Sequence, residues 1–372
     1  MRTDLLLDVL DVLDDPMLGL EMNAVQPGVL CAILSAALCL ALLVDHLWGE
    51  PPVRWHPVVW MGRALEWAGA RVAPLALADG RSQPQLGLAG QALADPKRSD
   101  AMIFWLGALH WLALAALVVG VAWGVQTALL AGVSWLVARG GPVWWALAAV
   151  GLGLCLKPLL AWRMLRTEVL AVEAALGESL AAGRQRLGWL VSRDVATLTE
   201  AQVRESAIES LAENLSDSVV APLFWFVLAG LPGAALYRFA NTADAMWGYR
   251  TVRGSREWEW AGKWAARADD VLNWLPARLT GCVLALWAGG RVLRALPAQA
   301  GLTPSPNSGW PMAAMALALG VRLGKPGVYT LNVAGRQPVA SDVGQAIDFC
   351  RKVLLVLVCV ALAAVAVVCV AP

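Results

Sequence analysis

The segment Glu209-Ser-Leu-Ala-Glu-Asn-Leu-Ser-Asp217 runs straight into the apolar stretch Val219 to Tyr237, and a second polar cluster, Asn241-Thr-Ala-Asp244 to Tyr249, follows at once. Carboxylates beside hydrocarbon are costly unless they bind something. The chain is therefore restricted to folds that keep a polar site at the edge of a membrane-grade core. Composition agrees: 59% of the 372 residues are hydrophobic and 15% charged, where a soluble domain has roughly half and a quarter. So much apolar surface does not fit inside a water-soluble core. The expected fold is all-α, a polytopic integral membrane helical bundle with re-entrant or broken helices around a polar site.

Net charge is +1, so no basic field points to nucleic acid. The 20 Trp, against 5 Phe and 3 Tyr, suit anchoring at the two faces of a lipid bilayer. The 7 Cys lie mostly in apolar runs without CxxC or Cys/His spacing, so they read as small buried hydrophobes rather than disulfides or zinc ligands. Residues 1–27 are acidic, with Arg2 as the one basic residue, the reverse of a secretory leader. They are expected to form an N-terminal extension to a single membrane-embedded domain, 28–372, in which 73–100 is a flexible loop.

Gly28 to Val44 is long enough for one crossing, and Val353 to Val370 for another. Ala101 to Ala161 holds two long spans or three short ones, with Arg139-Gly-Gly-Pro142 the surest break. Val219 to Tyr237 carries Pro222 and Gly230-Leu-Pro-Gly233; Val271 to Ala288 carries Asn273, Pro276 and Arg278. A simple lipid-facing span does not tolerate such breaks, whereas a re-entrant or protein-buried segment does. The polar clusters flanking 219–237 can share one site only if that segment does not fully cross. Four or five true spans are expected, with those clusters on the cytoplasmic side.

Thr199-Glu-Ala-Gln202 fits a capping box that starts a helix running to about Asp217. On it Glu205, Glu209 and Glu213 recur at i, i+4 and share a face. On a soluble helix this is a solvated stripe. Here the face continues to Asp217 and hydrocarbon with no basic residues at i+4, which favours a functional role for Glu209, Glu213, Asn214 and Asp217, though not for Glu205. Asn241 with Asp244, and Asp269-Asp270 with Asn273, pair amides and carboxylates one turn apart. Such oxygen-only groups suit Mg²⁺, and equally suit caps or intramembrane hydrogen bonds. His56-Pro57 reads as a turn, and the loop Ser305-Pro-Asn-Ser-Gly-Trp-Pro311 offers backbone amides to an anion. Gly320-Val-Arg-Leu-Gly-Lys325 is no P-loop, since Pro326 stands at the Ser/Thr position.

The ordered series Asp45…Gly49-Glu-Pro51, His56-Pro57…Met61-Gly62, Ser192-Arg-Asp194, Glu209-Ser-Leu-Ala-Glu-Asn214, Asp217, Val220-Ala-Pro-Leu223, Tyr237-Arg238, Asn241-Thr-x-Asp-x-Met246, Gly248-Tyr-Arg250, Asp269-Asp270, Asn273, Pro276-Ala-Arg-Leu279 and Ser305 to Pro311 resembles the cobalamin-biosynthesis membrane protein family of adenosylcobinamide-phosphate synthases (CobD/CbiB). Met312, and the absence of glycine after Tyr329, depart from the family pattern. The resemblance implies ATP-dependent amide formation between the free propionate of adenosylcobyric acid and (R)-1-amino-2-propanol or its O-phosphate, in the cytoplasmic membrane, alongside other membrane enzymes of the same pathway. It implies catalytic roles for Glu209, Glu213, Asp217 and Asp244, and Mg²⁺ ligation among Glu213, Asp217, Asp244, Asp269 and Asp270. It further implies substrate contacts from His56, Asn214, Asn241, Tyr249, Arg250, Asn273, Arg278 and Asn307. A transporter and a non-catalytic sensor related to the family are the competing readings.

Overall fold

The computed structural model describes residues 26–76 and 99–370. The acidic extension and most of the expected 73–100 loop lie outside the described residues. Among the described residues thirteen α-helices follow one another in chain order, and the only strands form two small antiparallel hairpins, the first of β1 (Val252–Arg253) with β2 (Arg256–Glu257).

Helix α1 (Pro27–Trp48) begins with Pro at its first turn, where a missing N–H costs nothing. It packs on α4 (Trp145–Leu156) and on the last helix, α13 (Ala340–Val370), which contains the expected final apolar run. Trp48, Trp55, Trp60 and Trp67 are exposed around the end of α1 and along α2 (Pro57–Val72), consistent with an interfacial belt. Helix α3 (Asp100–Gly140) is 41 residues long, N-capped by Ser99, and stops at Gly141-Pro142 as the sequence predicts. After it, α4 gives way at Lys157-Pro158 to α5 (Trp162–Glu178), followed by α6 (Leu180–Leu187).

The centre of the fold is α7 (Glu200–Leu215), a π-helical turn (Ser216–Val220), and α8 (Ala221–Trp247). The capping box at Thr199 and Gln202 forms as expected. Among the described residues four helical stretches are long and apolar enough to cross a membrane: Gly28–Trp48, Asp100–Gly140, Pro142–Glu178 and Glu200–Trp247. The fourth folds back on itself. Ala229 and Gly230 leave helical geometry, Gly230 with φ 63°, and Arg238 on the returning arm hydrogen-bonds Ser218 on the outgoing one at 2.9 Å. In a straight helix those residues would stand about 30 Å apart. The hairpin tip, Val227 and Leu228, is exposed, as suits a lipid-facing turn.

Breaking a helix at membrane depth frees backbone groups that need partners. One comes from α3, where Gln126 Oε1 accepts the Leu231 N–H at 2.8 Å. A Cβ on Gly230 would collide with that same amide, so glycine is required there both for its positive φ and for the close approach of Gln126.

Beyond the hairpin come α9 (Lys263–Leu272) and α10 (Trp274–Trp287), joined at Asn273. Helix α10 has 14 residues, fewer than the ~20 that a crossing needs, so the ambiguous run 271–288 is packed helix rather than a full span. Then follow α11 (Leu296–Ala300), α12 (Gly309–Leu319) and a hairpin of β3 (Leu323–Lys325) with β4 (Tyr329–Leu331), which packs on α7.

Candidate functional site

Because the hairpin returns to the side it entered from, the Glu209–Asp217 and Asn241–Asp244 clusters meet. Two compartments result, joined by Glu213 and Asp217 one helical turn apart.

The first is a cavity of about 320 Å³ whose walls include Arg193, Glu213, Asn214, Ser305, Lys325 and Tyr329. Glu209, 1% exposed, is held by Arg193 through Nη2–Oε2 at 3.0 Å, and Glu205 faces Arg322 at 3.5 Å. The expected stripe of carboxylates is thus graded. Glu205 and Glu209 have cationic partners supplied by other elements, while Glu213 has neither hydrogen bond nor ion pair among the described residues and looks into the cavity. Asn214 is turned back along its own helix, its Nδ2 donating to the Ser210 carbonyl at 2.9 Å.

The second compartment is the acid cluster. Asp217 sits in the π-helical turn, a distortion that rotates its side chain out of the regular helical register. Its Oδ1 accepts from Asn273 Nδ2 at 2.7 Å. Asp269, buried in α9, is pushed well above the ordinary carboxylate range by burial, then by the charges of Asp217, Asp244 and Asp270 around it. Its Oδ1 is buried without a partner, as are the Tyr237 hydroxyl and Arg238 Nε. Arg238 donates across the hairpin to Ser218, and to Asn241 Oδ1 one turn along its own arm at 3.3 Å. Burial also raises Asp270, opposed by Arg250 nearby. Among the described residues no three His, Cys, Asp or Glu side chains converge as a ready-made metal cage. A cluster of oxygen donors with an orphaned carboxylate oxygen nevertheless suits Mg²⁺ carried on phosphates, which takes one or two carboxylates and keeps its waters.

Several expected contact residues serve as struts. Arg278 lies between Trp274 and Trp310, at 4.0 and 4.8 Å from their ring centres, and Nη1 reaches Asn307 Oδ1 at 3.3 Å. Asn307 Nδ2 in turn donates to the Asp270 carbonyl at 2.8 Å, so the two contacts clamp the 303–308 loop to α10 and α9. The Asn307 and Ser308 amides, expected to face an anion, both donate to Ser305 Oγ at 3.2 Å. That loop therefore offers side chains to the cavity, not these two amides. Tyr249 stacks under Arg253 at 4.0 Å, and Arg250 is exposed.

His56 N-caps α2 by position, and its Nε2 contacts Glu50 at 3.0 Å. Glu50 pairs with Lys157 at 3.0 Å, and Lys157 with the fully buried Asp45 at 3.2 Å. Asp45 Oδ2 also accepts the Arg163 N–H at 2.8 Å, capping α5. Burial opposes the Glu50 charge, but the hydrogen bonds from His56 and Lys157 outweigh it and hold the carboxyl below its usual range. Glu50 lies within electrostatic reach of Arg238, so this network forms a floor beside the acid cluster, and His56 reaches the site through Glu50.

Sequence reasoning passed over Arg193, Arg238, Tyr237, Lys325 and Tyr329 as site residues. Arg193 lay within the Ser192-Arg-Asp194 motif, and Tyr237 and Arg238 formed a motif of their own, so each had a signal. Lys325 and Tyr329 reach the cavity only because the β3–β4 hairpin packs on α7, which no local pattern announces.

Fold and site together define a polytopic helical membrane protein built around a re-entrant hairpin and a cluster of carboxylates. A family profile described as CobD/Cbib protein matches residues 38–369. The chain is 41% identical over 295 residues to the "Cobalamin biosynthesis protein CobD" of Stutzerimonas stutzeri, covering 78% of this chain and 82% of that one. It is 38% identical over 324 residues to the protein of the same description in Chromobacterium violaceum, covering 85% and 91%. To the "Probable cobalamin biosynthesis protein CobD" of Methanothermobacter thermautotrophicus it is 37% identical over 305 residues, covering 80% and 86%. The chain belongs to the CobD/CbiB family. No solved structure matches it.

Proposed function

We propose that this protein acts in cobalamin biosynthesis as an ATP-dependent, amide-forming synthase of the cytoplasmic membrane. It joins the amine of (R)-1-amino-2-propanol, as its O-phosphate, to the free propionate of adenosylcobyric acid. The observation that carries the reading is Glu213, a carboxylate with no hydrogen-bond or ion-pair partner among the described residues, presented to a polar cavity beside the Asp217–Asp244–Asp269–Asp270 cluster.

A carboxylate does not react with an amine until one of its oxygens becomes a leaving group, as an acyl phosphate or an adenylate formed from ATP. Asp217 and Asp244, with Asp269 and Asp270 behind them, would hold Mg²⁺ on the phosphates, and the ion would supply neutralisation of phosphate charge. The amine substrate arrives as an ammonium; Glu213 draws it in and takes its proton, leaving a lone pair free to attack the activated carbonyl. The tetrahedral adduct then expels the phosphate or AMP. Glu209 serves here through Arg193, which it holds at the cavity wall, and Asn273 fixes the Asp217 carboxylate. The cavity, about 320 Å³, admits a small amine and one reacting arm. A corrin macrocycle is far larger, so it docks at the mouth with its propionate inserted.

A re-entrant hairpin and broken helices also occur in transporters. Purified protein in detergent, without a gradient, decides between the two. Formation of the corrinoid amide from adenosylcobyric acid, aminopropanol phosphate, Mg²⁺ and ATP supports the synthase. No product, where a family relative forms it, moves the reading to transport or sensing.

A further inference from the structure

The cavity contains two cationic side chains, Arg193 and Lys325, to which the amide-forming step above assigns no ligand. Arg193 is pinned by Glu209 through Nη2, yet its Nη1 is buried without a hydrogen-bond partner. Lys325, at the end of β3, lines the same cavity with no ion pair among the described residues. Ser305 Oγ accepts from two backbone amides, which leaves its own proton free to donate, and Ser308 lies beside it in the wall. A guanidinium, an ammonium and hydroxyl donors around one small space are the groups that bind a phosphate monoester dianion.

We propose that Arg193, Lys325 and Ser305 form the phosphate-binding end of the cavity, and that Lys325 sets the preference for a phosphorylated over a free aminoalcohol. This rests on the synthase reading above. The same phosphate chemistry is offered by the terminal phosphate of a nucleotide, but two features favour the amine substrate. Glu213 stands in the same cavity as the cations, so opposite charges await the two ends of a short zwitterion. A cavity of about 320 Å³ also holds a short zwitterion whole, whereas a nucleotide would leave its base and ribose outside. Arg193 is the fixed, oriented donor; Lys325, exposed and on a flexible stem, contributes the charge that a free alcohol would leave uncompensated. The latter substrate thus gains nothing from Lys325, and the enzyme discriminates by one charge contact.

The test uses purified full-length protein in detergent, wild type and Lys325→Gln, with kcat/KM measured on aminopropanol O-phosphate, on free aminopropanol and on ATP. Lys325 is exposed and unpaired, so the variant is expected to fold. The ratio of kcat/KM for the phosphorylated over the free amine falls about 10- to 100-fold in Lys325→Gln, mainly through KM, and Lys325→Glu lowers it further. An unchanged ratio, or a rise in KM confined to ATP, overturns the proposal; the second outcome gives the site to the nucleotide. Inorganic phosphate without ATP or corrinoid provides a separate readout. It raises the melting temperature of wild type more than that of Lys325→Gln if the subsite exists, and equally if it does not. Should wild type form no amide at all, the synthase reading fails while this phosphate comparison still decides the subsite.

Discussion

Arg238 Nη1 donates to Ser218 Oγ at 2.9 Å across twenty residues of nominally continuous helix. That contact exists because the chain reverses at Ala229–Gly230, and everything about the site depends on the reversal. It brings Asp217 and Asp244 together and puts Arg238 among buried carboxylates. The Asn214 and Asn241 motifs consequently lie at the same end of the hairpin.

The cap at the hairpin tip should be worth measuring by itself. Gln126→Leu leaves the Leu231 N–H, otherwise bonded at 2.8 Å, without a partner inside the bundle, a loss of about 1–3 kcal/mol. A lower melting temperature in detergent is expected, with Gly230→Ala at least as harmful because it adds a positive-φ penalty to the clash. Gln126→Glu, which keeps the acceptor, should be milder than Gln126→Leu. Equal melting temperatures for wild type and Gln126→Leu would mean the hairpin does not dock there.

Sidedness follows from the same geometry. Single cysteines placed at Asp194 and Arg250, in a chain whose native cysteines are replaced, should react with an impermeant maleimide from the same face of oriented vesicles. Labelling from opposite faces would require the 219–247 segment to cross.

Glu209 and Glu213, four residues apart, should respond differently to the same change. Glu209→Gln strips the half-buried Arg193 of its counter-ion, and since losing one member of a fully buried pair costs about 3–5 kcal/mol, stability falls by up to that amount along with activity. Glu213→Gln breaks no pair, so the melting temperature stays within a degree or two while turnover drops about 100-fold or more. Thermal scans and turnover on both variants separate these outcomes; parallel loss of stability in the two would contradict the assignment.

Glu50 gives a pH dependence with a definite sign. Its folded-state pKa lies below the ordinary glutamate value, because bonds from His56 and Lys157 outweigh burial. The stabilisation is therefore present above the unfolded pKa of about 4.3 and is lost as pH falls through the lower folded value. Melting temperature should drop on acidification through that window, and Glu50→Gln should flatten that part of the profile. An identical acid limb in the variant would remove Glu50 as its source.

Much of this site was legible in the sequence, for physical reasons. Carboxylates beside an apolar run are visible because membranes make them expensive, and Gly230-Leu-Pro-Gly233 marks a break because neither glycine nor proline sustains a helix. What stayed hidden was pairing across distance. Arg193 and Glu209, or Lys157 and Asp45, are chosen by tertiary packing, so a bare stripe of glutamates on α7 became two partnered residues and one free one. Gln126 gave no signal within a 41-residue apolar helix, since its role exists only once the hairpin tip arrives. Arg278 and Asn307 were marked by their motifs, but a motif does not distinguish a strut from a substrate contact.

The most direct test is the corrinoid amidation assay with wild type and Glu213→Gln side by side, read by mass spectrometry, with ADP or AMP release followed in the same tubes. Wild type should yield the new amide mass, and the variant, equally well folded, should form it about 100-fold more slowly or not at all. Amide formation at the wild-type rate by Glu213→Gln would contradict the account, because the carboxylate in the cavity would then have no part in the reaction.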